Sequence, residues 1–116
     1  MKLRVGYRTF TLKPMPGAVQ AATGDLGQFY EKQGEILVSP NQHPQEWADT
    51  LVHEVLHGLW YERDIGENPS EERAVRALAH GLVALVRDNP EFMKMLLDAI
   101  YQERIPVAFK EGRKAA

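Results

Sequence analysis

The chain has 116 residues, with 14 Lys or Arg against 16 Asp or Glu and no Cys. That length holds one compact domain, and 44% hydrophobic with 26% charged residues excludes wholesale disorder. A formal net charge of −2 leaves no electrostatic footprint for nucleic acid, no apolar run approaches the roughly 18 residues of a membrane span, and without Cys any metal must be held by His, Asp or Glu.

Residues 3–12 read as one strand, with Val5, Tyr7, Thr9 and Thr11 on one side and Arg4, Gly6, Arg8, Phe10 and Leu12 on the other, an imperfect sidedness. Pro14, Pro16 and Gly17 break it, and residues 18–23 form one helical turn or an irregular stretch. Gly24, Gly27 and Gly34 punctuate a hairpin of strands 26–32 and 35–39, joined near Gln33-Gly34. The rest reads as helix. Pro44 suits a first helical turn, and Trp47, Leu51, Val52, Val55, Leu56 and Leu59 recur at helical spacing to about Arg63, with Gly66 as terminator. Asn68-Pro69 reads as the N-cap and first residue of a second helix, whose stripe is Val75, Leu78, Leu82, Leu85 and Val86. Asn89-Pro90 repeats the signal before a third, carrying Phe92, Met95, Leu96, Ala99 and Ile100 and ended by Pro106. Residues 1–109 then make a single domain and 110–116 a disordered basic tail. Strands first and helices after predict an α+β fold, a short antiparallel sheet packed on about three helices.

The chemistry concentrates at His53-Glu54-Val55-Leu56-His57, an HExxH motif on the first long helix. Two His at i and i+4 lie one turn apart on one face and can share one ion. Imidazole nitrogen suits Zn²⁺, which catalytic sites hold with three protein ligands while leaving one position for water. Glu54 lies about 100° round the helix from His53, beside the ion, where it can take the water's proton. With 4 His and 11 Glu in the chain, about 0.01 accidental matches are expected. Leu51, Val52, Val55, Leu56 and Leu59 predict that the motif helix is mostly buried.

A third ligand is found by elimination. His43 reads as a turn residue near the helix N-cap, and His80 falls away from the second helix's stripe. Arg63 stands where the metzincin spacing wants His, and Trp60 where it wants Gly. Glu71 falls on the inward face of the second helix and Glu72 flanks it, so Glu71 is the favoured ligand, with Glu72 or another group as alternatives. Glu71 would equally serve as the N3 residue of a capping box on Asn68. For Glu71 to reach an ion on His57, the two helices must cross obliquely or the first must end early.

The run His53-Glu54-Val55-Leu56-His57-Gly58, followed by Glu71-Glu72-Arg73-Ala74, resembles the zincin-type metallopeptidases of the gluzincin kind, where a Glu on a later helix is the third ligand. Closer still is the resemblance to small phage-encoded metallopeptidases and the ImmA/IrrE-type peptidases, through residues 72–79 and Asp88-Asn89-Pro90-Glu91. The resemblance implies a short antiparallel sheet over the motif helix, one Zn²⁺ per chain on His53 and His57, Glu54 as general base, and peptide-bond hydrolysis. Tyr30, Tyr61 and Tyr101 are candidates for stabilising the oxyanion, each read more readily as a packing aromatic.

The expectation is a zinc-dependent peptidase acting on a polypeptide laid beside an exposed strand near residues 26–32. The alternative is a non-catalytic, metal-stabilised binding, phage assembly or regulatory protein. A nuclease is disfavoured by the lack of a basic, aromatic-interleaved stripe. No membrane partner is expected. Lack of a signal-like N-terminus fits the cytoplasm, the host's if the chain is phage-encoded.

Overall fold

The structure is a computed structural model and describes residues 1–110. Of the expected tail 110–116, Lys110 belongs to a helical turn, its N–H donating to Pro106 O at 3.4 Å, and residues 111–116 lie outside the described residues. A turn at Gly6-Tyr7, with Gly6 at φ +62°, splits the first predicted strand into a hairpin of β1 (Lys2–Val5) and β2 (Arg8–Pro14). Leu3 pairs opposite Phe10, so odd residues before the turn and even residues after it face the core. Leu3, Val5, Phe10 and Leu12 are all buried. This change of parity explains the poor sidedness of residues 3–12 when read as one strand.

A short helix, α1 (Gly17–Thr23), ends on Gly24 in the left-handed conformation and carries the chain to the expected hairpin of β3 (Gly27–Tyr30) and β4 (Glu35–Val38). The sheet order is β1-β2-β4-β3. Both hairpins are antiparallel, but β4 returns beside β2 in parallel, so the sheet is mixed and not purely antiparallel. The α1 crossover is the cause: it lets the second hairpin dock by its later strand, leaving β3 at the edge. The fold class is α+β, as expected.

The sheet packs on α2 (Pro44–Glu62), where His43 is the N-cap and its Nδ1 accepts the Gln45 N–H at 3.3 Å. Trp47, Ala48, Leu51, Val55, Gly58 and Leu59 form the buried face of α2 at helical spacing. Phe10 lies so close to Gly58 that a Cβ there would stand 3.0 Å from its ring. The helix ends in a Schellman motif two residues before Gly66: Ile65 N–H donates to Trp60 O and Asp64 N–H to Tyr61 O, both at 3.1 Å. Asp64 occupies the left-handed position, φ +51°, that Gly usually fills. Asp64→Gly is therefore expected to raise stability by about 0.5–1 kcal/mol, read as a higher midpoint in urea unfolding.

The next helix, α3 (Glu71–Asp88), starts later than Asn68-Pro69 suggested. Ser70 is the N-cap, its Oγ accepting the Arg73 N–H at 3.2 Å. Glu71 therefore sits at N1, not at the N3 position of a capping box, and together with Glu72 complements the helix dipole. The buried residues of α3 are Gly81 and Leu85, with Leu78 half-buried, whereas Val75, Leu82 and Val86 of the expected stripe are exposed. Small residues decide this rotation. A Cβ on Gly81 would lie 2.8 Å from Leu59, so α3 turns Gly81 onto α2 where the two backbones approach.

Asn89 alone separates α3 from α4 (Pro90–Tyr101). Its buried amide accepts the Arg4 N–H at 2.8 Å and donates to Arg4 O at 2.7 Å and Leu85 O at 2.8 Å. The core extends further than the sequence indicated. Ile105 and Phe109 beyond α4 are buried, and Phe109 meets Trp47 edge-to-face at 5.2 Å. Among the described residues no helix is long and apolar enough to cross a membrane.

Candidate functional site

On α2 the two imidazoles and the carboxylate of the motif part company. Glu54 lies in register with Leu51, Val55 and Gly58 on the inner face and is only 7% exposed. His53 and His57 lie on the outer face, exposed, beside Val52 and Leu56, which are also exposed. The motif helix is thus buried on one side only, and the expectation of buried imidazoles is corrected. Periodicity explains the outcome: the buried residues of α2 form one arc of the helix, and residues 53 and 57 fall outside it, on the side next to Glu54.

The rings face each other, with Nε2 of His53 and Nε2 of His57 3.2 Å apart. Two nitrogens at Zn–N distances of about 2.0–2.1 Å and a tetrahedral angle would be separated by about 3.3–3.4 Å. The pair therefore fits two ligands of one Zn²⁺. Among the described residues no group of three or more His, Asp or Glu is set to hold an ion. Glu71 and Glu72 are both exposed, and Glu72 pairs with Arg76 at 3.3 Å. The first long helix does not end early: α2 runs to Glu62, and α3 begins at Glu71. The structure brings together His53 and His57 and does not add Glu71 to them. His80 is exposed on α3, as expected.

Glu54 reaches under the edge strand. A Cβ on Gly27 of β3 would lie 2.6 Å from the Thr50 side chain and 2.9 Å from Glu54 Oε2, so glycine there makes room for the carboxylate. Burial raises the Glu54 carboxyl above its ordinary value; the fields of His53 and His57 oppose this, and that of Asp25 adds to it. A carboxyl held this way is poised to accept a proton.

Beside His57 runs a groove of about 830 Å³ between α2, the β1–β2 turn and the loop after α2. Its walls include Tyr7, Phe29, Trp60 and Tyr61. Phe10, Phe29 and Tyr61 stack edge-to-face, at 5.4 Å and then 6.1 Å between centroids. The Arg8 guanidinium lies 4.6 Å from the Tyr61 ring centre, and its Nε is buried with no hydrogen-bond partner among the described residues. Of the three tyrosines, only Tyr61 lines this groove. Tyr30 donates to Gln28, and Tyr101 is exposed on α4. Trp60 is a groove wall and not a core anchor, its Nε1 donating to Gly66 O at 2.7 Å. Trp47 is a core anchor. Arg8 and the groove were missed from sequence, because the hairpin turn that brings Arg8 to α2 was read as mid-strand.

No protein-family model, curated protein or solved structure matches this chain.

Proposed function

We infer that the protein is a zinc-dependent peptidase of the HExxH type. The observation that carries this reading is the 3.2 Å approach of the two exposed imidazole nitrogens beside a buried carboxyl one residue away. His53 and His57 would hold the ion, with Glu71, exposed at the start of α3, the favoured third ligand. When bound, the ion supplies Lewis acidity and makes a water acidic enough to be deprotonated near neutral pH. Glu54 takes the proton at its carboxylate and passes it to the leaving amine. The edge strand β3, packed beside α2, offers unpaired backbone groups to an extended peptide. Tyr61, which lines the groove together with His57, would steady the polarised carbonyl oxygen.

The test is elemental analysis of purified protein. Wild type is expected to carry about one zinc per chain, His57→Ala none, and Glu71→Ala substantially less, while Glu72→Ala stays loaded. Wild type free of transition metal after zinc supplementation overturns the reading. A non-catalytic metal-stabilised protein is the alternative, favoured by the exposed position of Glu71.

A further inference from the structure

We propose that the groove beside His57 is a specificity pocket for a Lys or Arg side chain of the polypeptide substrate. The proposal rests on the peptidase reading and adds to it the chemistry of what is recognised. A volume of about 830 Å³ accommodates a long side chain and the backbone that bears it.

Charge on the walls selects a cation. Arg8 lies 4.6 Å and 5.2 Å from the Tyr61 and Tyr7 ring centres and takes up those ring faces, so the attraction for a further cation comes from the acids. Glu31, Asp64 and Glu67 line the groove, all exposed, and none has an ion pair or hydrogen bond through its carboxylate among the described residues. Glu62, a fourth lining acid, has a side chain only 6% exposed. Its Oε1 forms an ion pair with Arg63 Nε at 3.3 Å and accepts no hydrogen bond among the described residues. Among the described residues Arg8 is the sole Lys or Arg lining the groove. With Glu62 paired to Arg63, three unpaired acids stand against Arg8, so a cationic side chain gains here and an acidic one is repelled.

The test uses the full chain as Glu54→Gln, so that bound peptide is not consumed, with fluorescence anisotropy of dye-labelled peptides differing only at one central Lys, norleucine or Glu. The Lys peptide is expected to bind about tenfold tighter than the norleucine peptide, with the advantage shrinking from about 0.05 M to about 0.5 M salt. Adding Glu31→Gln and Glu67→Gln, both at exposed positions, is expected to abolish that preference. Adding Glu91→Gln and Glu103→Gln instead, the same charge change outside the groove, is expected to preserve it. Equal affinities for the three peptides overturn the proposal, as does an equal loss in both double variants. With zinc-loaded wild type, cleavage without preference for Lys or Arg overturns the pocket and leaves the peptidase. Glu31- and Glu67-dependent Lys binding with no turnover of any peptide upholds the pocket and removes the peptidase.

Discussion

Glu54→Gln is expected to lower peptide hydrolysis by about 10²–10⁴-fold while zinc content stays at the wild-type level. The substitution removes the proton acceptor and leaves both imidazoles in place. It has a second, opposite signature. Glu54 is buried beneath Gly27, and burial disfavours its ionised form. A carboxyl whose folded value is raised favours the fold at low pH, and that contribution fades as pH climbs from the ordinary carboxyl range through the raised value. Glutamine has no such slope. In chelator-treated protein the variant is therefore expected to be more stable at neutral pH, by about 1 kcal/mol, and the gap to narrow on acidification. Activity assays, elemental analysis and melting curves at several pH values check the three parts. Full turnover by the variant would remove Glu54 from the mechanism and favour the non-catalytic alternative.

Asn89→Ala is expected to cost about 2–4 kcal/mol, a fall of roughly 10–20 °C in melting temperature for a domain of this size. One buried amide satisfies the N–H and the carbonyl of Arg4 and also the Leu85 carbonyl at the end of α3. Alanine strips partners from three backbone groups at once. Asn89→Asp keeps an acceptor for the Arg4 N–H but cannot donate, so it is expected to be nearly as damaging at neutral pH. Urea unfolding of the three proteins measures this. A loss below about 1 kcal/mol for alanine would show that water replaces the amide without penalty.

What could be read from the sequence divides along physical lines. The hairpin of β3 and β4, α2 with its Pro44 start, and the Asn89-Pro90 break were legible because each depends on local turn or capping chemistry. The i, i+4 spacing of His53 and His57 put the rings on one face, and they do meet. The orientation of α3 was not legible. Counting apolar residues favours Val75, Leu82 and Val86, yet close packing against Leu59 chooses Gly81, which contributes nothing to an apolar count. The same rotation bears on Glu71, whose assignment assumed that the apolar stripe marks the inward face. The groove was hidden for another reason. Arg8 meets Tyr61 only because the chain reverses at Gly6-Tyr7, and a two-residue reversal inside an alternating run leaves little trace beyond its irregular sidedness.

The lid over Trp47 has a bearing on biosynthesis. Phe109 closes the pocket around an indole that stands near the start of the helix carrying the motif. A nascent chain emerging from the ribosome presents that indole long before its cover has been translated, and with it an uncovered apolar surface on which early intermediates can stick to one another. Final seating of the helix thus waits for the segment that carries Phe109.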